Sequence, residues 1–181
     1  IESTQYHQGQ KIEKFYQCEN DTEKFCSKII NIQPNFLEVI KNFGSSAYGE
    51  IYLLSFKMFL DNPITGIGIN NFEYLCNYNE LYKNMMINYE CASHPHNIYI
   101  QWLAEGGLIV FISFIVYLFL LVKFIINNNG DKKYKIISIV IILIMFWPIM
   151  STGSLIKNWF GVTTFFIIGL CMCLSKFKNN Y

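Results

Sequence analysis

The sequence predicts an all-α, polytopic membrane fold: a large extracytoplasmic loop region with short helices, followed by about three transmembrane helices. Composition is the first reason. The 181 residues are 52% hydrophobic and only 15% charged, with a mean hydropathy of +0.27, too apolar for an ordinary soluble domain. Patterning is the second, since residues 107–181 hold three apolar runs while residues 1–43 are polar and residues 1–106 carry Cys18, Cys26, Cys76 and Cys91. Charge is the third, because lysines cluster beside the apolar runs. Lys+Arg 14 against Asp+Glu 13 leaves a net charge of +1, so no nucleic-acid footprint exists. Every basic residue is lysine, and no arginine occurs. The chain opens at Ile1 without a secretory signal pattern, which reads as the C-terminal portion of a longer protein.

In order, residues 1–43 are lysine- and glutamate-rich. Cys18 and Cys26 would lie about 12 Å apart on one continuous helix, too far for a disulfide. A bond between them therefore needs a turn, for which Asn20-Asp21 is suited. His7 reads as an ordinary exposed histidine. Phe43 to Ala47 is a breaker, and Tyr48 to Asp61 reads as a helix too short to span a bilayer. Asn62-Pro63 stops it, and Gly66-Ile67-Gly68 reads as a tight turn rather than a phosphate loop. Tyr74 to Ala92 is framed by Cys76 and Cys91. A disulfide closing that loop contributes on the order of 3 kcal/mol in the chain-entropy model. Two cysteine pairs in this half suggest an oxidising compartment, against the plain alternative of free buried thiols.

The stretch from Ser93 to Gly107 concentrates the chemistry. Pro95 suits the first position of a helix, which makes His94 the cap and puts His96 and Asn97 in the first turn. Asn97, Gln101 and Glu105 then share one face, and Gly106-Gly107 ends the helix or bends it. A helix N-terminus beside His96 would disfavour imidazolium and welcome an anion.

Spans are expected at about 107–126, 135–150 and 159–175, the first with the roughly 20 apolar residues a crossing needs. Lys123, Lys132, Lys133 and Lys135 mark one cytoplasmic loop, and Lys176 with Lys178 another. The histidine stretch and the four loop cysteines therefore face outward. Cys171 and Cys173 read as apolar filler.

The block Met58 to Phe72, containing Asp61-Asn62-Pro63 and Gly66-Ile67-Gly68, precedes the block Ser93 to Leu108, containing His94-Pro95-His96-Asn97 and Glu105-Gly106-Gly107. Together they resemble the O-antigen ligase and O-antigen polymerase superfamily over roughly residues 51–174. The resemblance implies a multi-pass protein of the bacterial inner membrane with its active loop on the periplasmic side. It implies glycosyl transfer from a polyprenyl (undecaprenyl) diphosphate donor to a hydroxyl of lipid A core, a polysaccharide or a protein, with no metal or cofactor. The motif's histidine matches His96, expected to be the catalytic base. His94, Asn97, Lys57 and Glu105 are expected at the substrate. The family usually supplies an arginine where this chain reads Tyr48-Gly49-Glu50-Ile51; Lys57, Lys83 or Lys157 would have to replace it, as point charges without the bidentate fork. Glu105 either polarises a histidine, holds a sugar hydroxyl, or is a solvated residue at the membrane boundary. Two other classes compete: a non-enzymatic superfamily member, such as a bicarbonate-transport-associated protein, and a membrane-anchored binding module.

Overall fold

The computed structural model describes residues 4–7, 10–16, 27–32, 40–87 and 89–178. Residues 4–32 depart from the all-α expectation. Strands β1 (Thr4–His7), β2 (Gln10–Tyr16) and β3 (Ser27–Ile32) form an antiparallel sheet in the order β1-β2-β3. His7 pairs with Gln10, leaving only Gln8-Gly9 between the strands, the length and the glycine that a tight hairpin prefers. Isoleucine-rich Ser27–Ile32 suits the second pairing, which sets Tyr16 opposite Ser27. His7 therefore sits on a strand, while Cys18 and Cys26 lie outside the described residues.

From residue 40 onward the described regular structure is helical. Helix α1 (Ala47–Asp61) starts at Ser46, whose hydroxyl accepts from the Gly49 amide, and ends at Asn62 ahead of Pro63. Helices α2 (Phe72–Tyr78) and α3 (Glu80–Lys83) follow. Helix α4 (Ile98–Asn127) is 30 residues long, and α5 (Lys132–Met145) and α6 (Asn158–Leu174) complete the chain. Among the described residues α4 alone is long and apolar enough to cross a membrane, with a mean hydropathy of 2.9 over its best window. Ile109, Ile112 and Phe119 on it are more than half exposed. Helices α5 and α6, with 14 and 17 residues, rise about 21 and 25 Å, short of the roughly 30 Å hydrocarbon core. The stop of α5 at Met145, earlier than the apolar run suggests, follows from Trp147-Pro148, since the residue before proline avoids helical geometry.

Two cores hold the helices. Phe114, Leu121 and Ile125 repeat at helical spacing on α4 and pack with Ile142 and Phe146 of the α5 end and with Ile168 and Cys171 of α6. Ser138 of α5 donates to the Cys171 carbonyl at 3.0 Å, tying α5 to α6. Closer to the histidines, Ile51, Leu54 and Met58 of α1 meet Phe72, Cys76, Tyr82 and Ala104. A disulfide joins Cys76 to Cys91, Cα atoms 5.8 Å apart, and fixes α2 to the segment leading into His94.

Helix α4 bends at Gly107, whose φ of 62° and ψ of −163° belong to a region that only glycine enters freely. In an unbroken helix the Leu108 and Ile109 amides would bond the Ala104 and Glu105 carbonyls. Here the 63–68 loop serves all four groups. Leu108 N donates to Pro63 O (2.9 Å) and Ile109 N to Ile64 O (3.3 Å), while Ile67 N donates to Ala104 O (3.0 Å) and Gly68 N to Glu105 O (2.9 Å). Gly66, at φ 67°, passes so close to the Glu105 carbonyl that a Cβ would lie 2.4 Å from it. The two glycine-bearing blocks are thus one backbone joint, and it sets the height of the histidine stretch above the apolar part of α4.

Candidate functional site

Helix α4 begins three residues later than the proline rule suggests. Asn97, not His94, is its cap: Oδ1 accepts from Tyr99 N (3.0 Å) and Ile100 N (3.2 Å). Its Nδ2 donates to Pro148 O at 2.7 Å, so this buried amide locks the start of α4 to the loop after α5. His96 lies outside the helix in a left-handed conformation, φ 57°, secured where Thr152 N donates to its carbonyl at 2.8 Å. Asparagine is the stronger cap, and the left-handed residue before it stops the helix from extending back to Pro95.

The two imidazoles lie side by side, ring centroids 4.3 Å apart. His94 Nε2 is 3.3 Å from the Thr152 carbonyl, which can only accept. The neutral ring therefore carries its proton on Nε2 and accepts at Nδ1 from the Ser93 hydroxyl, 3.0 Å away. Among the described residues neither ring nitrogen of His96 has a hydrogen-bond partner, and its ring meets the edge of Tyr48 at 5.9 Å. Tyr48 in turn lies 3.4 Å from Ser151 Oγ. The Thr152 hydroxyl beside His94 is buried and has no partner among the described residues.

Both histidines are held below their usual pKa. Burial does this for His96; for His94 burial leads, and the neighbouring His96 and Lys157 add to it. The sign of the linkage is definite: the unfolded chain binds protons at these sites below about pH 6.5 while the folded one resists them. Stability is therefore full above pH 6.5 and falls as pH drops through the interval down to the depressed folded values. We expect a thermal-unfolding series across that interval to show the fall, and His94→Gln to flatten it. An equal slope in the variant would exclude His94 as a source.

The other expected site residues separate. Lys57 lies nine residues beyond Tyr48, about 13 Å along α1, where its ammonium pairs with Asp61. That contact holds the Asp61 carboxyl low, and the same carboxylate accepts from Tyr82 OH at 2.9 Å. Burial, helped by Asp61, pushes the Tyr82 phenol up to about 12. Lys57 thus belongs to a structural corner away from the histidines. Among the described residues a cation near them is Lys157, which also forms a 3.5 Å pair with Glu73. Glu105 is 1% exposed, not a solvated boundary residue. It accepts from Phe72 N at 3.2 Å and from Gln101 Nε2 at 3.0 Å, and Gln101 donates on to Ser154 Oγ at 2.8 Å. Sequence reasoning missed Tyr48, Ser151, Thr152 and Ser154. The available signal was Ser151-Thr152-Gly153-Ser154, a polar stretch set inside the apolar half.

A family profile decides the identity. That of O-antigen ligase matches residues 22–115, more than half of the chain and both glycine-bearing blocks. The chain belongs to the O-antigen ligase family. No curated protein and no solved structure matches it. O-antigen ligase family members are membrane proteins of polysaccharide biosynthesis, in keeping with the length and hydropathy of α4. Among the described residues no group of His, Cys, Asp or Glu is placed to hold a metal ion.

Proposed function

We propose that the chain is part of a multi-pass glycosyltransferase of the bacterial inner membrane, working on its periplasmic face. It moves a glycan from polyprenyl diphosphate to a hydroxyl of lipid A core, a growing polysaccharide or a protein. The observation that carries this reading is the pair of adjacent imidazoles, of which His96 has no ring-nitrogen partner among the described residues and is held below its usual pKa by burial. A base must be unprotonated at working pH, and imidazole meets that demand with little adjustment. In the step envisaged, His96 removes the acceptor proton and the hydroxyl oxygen bonds the anomeric carbon. The bond from that carbon to the diphosphate oxygen breaks, and polyprenyl diphosphate leaves with the electron pair. Lys157 supplies positive charge that a diphosphate needs, and His94, engaged by the Ser93 hydroxyl and the Thr152 carbonyl, holds the second imidazole beside His96. Asn97 and Glu105 act as positioning residues.

The test is complementation by the full-length gene in a host lacking its own ligase or polymerase, following lipid-linked glycan and finished product on gels. His96→Ala is expected to lower product roughly a hundredfold or more, with donor accumulating at normal protein level. Lys57→Ala is expected to leave product unchanged. Undiminished product from His96→Ala would remove the base assignment, and a wild-type protein inactive with every donor would favour the non-enzymatic class.

A further inference from the structure

A cleft of about 270 Å³ opens beside the Cys76–Cys91 disulfide, lined by Asn77, Lys83, Met86, Tyr89, Glu90 and Cys91. Asn77 stands in the last turn of α2, Lys83 ends α3, and the other four come from the segment after it. The disulfide ties that segment back to α2, so the walls are set before anything binds. Several of the polar groups keep their binding capacity. Asn77 Nδ2 donates to the Glu73 carbonyl at 2.9 Å, which leaves Oδ1 as an acceptor. Among the described residues neither the Lys83 ammonium nor the Glu90 carboxylate has an ion-pair partner. Tyr74, three residues before Asn77, shares its side of α2. Its ring packs against that of Tyr78 with centroids 4.9 Å apart, and the two residues are 61% and 75% exposed. Rings that anchor a protein in a membrane interface have an apolar body below them. Here Glu73, Asn77 and Asn79 flank the pair along the chain.

We infer that this cleft and the two tyrosines bind an uncharged pyranose unit of a glycan, at a subsite apart from the reacting sugar. The inference rests on the glycosyl-transfer reading, which brings a glycan to this face of the protein. A pyranose has an apolar C–H face and a rim of hydroxyls that both donate and accept. Exposed tyrosine rings suit the face, and an amide with charges of both signs suits the rim. A cleft of one sign would select an ion. Lys83 and Glu90 in the same cleft penalise a cation and an anion alike, and favour a neutral polyol. Position agrees with chemistry. Glu73 pairs with Lys157, the cation beside the histidines. Asn77 follows Glu73 by one turn, about 6 Å along α2. A glycan whose reacting end lies at His96 therefore reaches the cleft with a neighbouring sugar.

The test uses the full-length protein in nanodiscs and free oligosaccharides, which carry no diphosphate and so report binding without transfer. The probes are tetrasaccharides of glucose, galactose, mannose and N-acetylglucosamine, with sialylated and sulfated galactose tetrasaccharides as charged counterparts. Saturation-transfer NMR follows each one. At least one neutral probe should bind saturably and ahead of both charged ones. Tyr78→Ala should weaken that binding roughly two- to tenfold, and Tyr78→Phe, which keeps the ring, should not. Asn77→Ala should weaken it by a similar factor, the equivalent of about one hydrogen bond. Absence of binding by every neutral probe would overturn the subsite, as would binding that neither alanine variant moves. A charged probe bound as tightly as the best neutral one would overturn the selection for an uncharged sugar. Product formed in complementation without neutral-probe binding would remove the subsite and leave the transfer reading standing. Binding through Asn77 and Tyr78 in a protein that makes no product would do the reverse. Should Asn77→Ala not fold, the comparison of Tyr78→Ala with Tyr78→Phe still decides.

Discussion

Alanine at Gly107 is expected to cost the protein its folded state. The residue sits at φ 62° and ψ −163°, where any L side chain is strained. A Cβ there would also lie 2.4 Å from the Ile64 carbonyl oxygen and 2.5 Å from Gly66 N, which are backbone atoms and have no rotamer to escape into. Relief requires moving the 63–68 loop, and with it the four hydrogen bonds that replace the broken helical pairs 108–104 and 109–105. Strain of about 1–3 kcal/mol and two or more displaced backbone bonds at about 1–3 kcal/mol each sum to at least about 3 kcal/mol. That is a large share of the roughly 5–15 kcal/mol that a domain has. Thermal unfolding of the purified protein and its yield as a monodisperse peak would both register the loss. Gly169→Ala is the control, because a Cβ at Gly169 meets nothing within 4 Å. It should stay within about 0.5 kcal/mol of the parent. A Gly107→Ala protein as stable as that control would falsify the joint.

Particular residues show what the sequence made legible. Helix α1 was, within one residue, because a Gly-Ser-Ser breaker precedes it and Asn62-Pro63 ends it, both local signals. The bend at Gly106-Gly107 was legible as a bend or an end, since two glycines in a helix leave few other uses. What it packs against was not, because pairing with Pro63–Gly68 is a contact across some forty residues and leaves no periodic trace. The start of α4 was misplaced for a related reason. Pro95 favours a helix beginning there, but Thr152 and Pro148 grip His96 and Asn97 from a distant loop and move the start to Ile98. The sheet at 4–32 was missed because Gln10–Tyr16 mixes lysine, glutamate and aromatics without clean alternation. Lys57 was expected at the substrate because the chain has no arginine, yet Asp61 stands four residues on, the spacing at which a helix pairs opposite charges. The histidine motif was legible as a site because its residues are rare and clustered. Its surroundings came from Tyr48 and the 151–154 stretch, which carry no such mark.

Glu105 separates a scaffold from a catalyst, and substitution there should show which it is. Both carboxylate oxygens are committed, Oε1 to the Phe72 amide and Oε2 to the Gln101 side chain, on a residue 1% exposed. Alanine leaves the Phe72 amide without its acceptor and Gln101 Nε2 with Ser154 Oγ alone, and opens a void beneath α2. Hydrogen bonds to a charged group contribute about 1.5–3 kcal/mol each, so Glu105→Ala should destabilise by about 3–5 kcal/mol. Glutamine keeps the shape and one acceptor. Turning the Gln101 amide over then lets its oxygen accept from Gln at 105 and from the Ser154 hydroxyl, so the network closes again at a cost of about 1 kcal/mol. Stability should therefore fall in the order parent, Gln, Ala. Activity per folded molecule should stay within a few-fold of the parent for Glu105→Gln, because the partners of this carboxylate are Phe72 and Gln101 rather than either imidazole. A stable Glu105→Gln protein with product down a hundredfold would instead make the carboxylate part of the reaction and require a geometry in which it reaches His96.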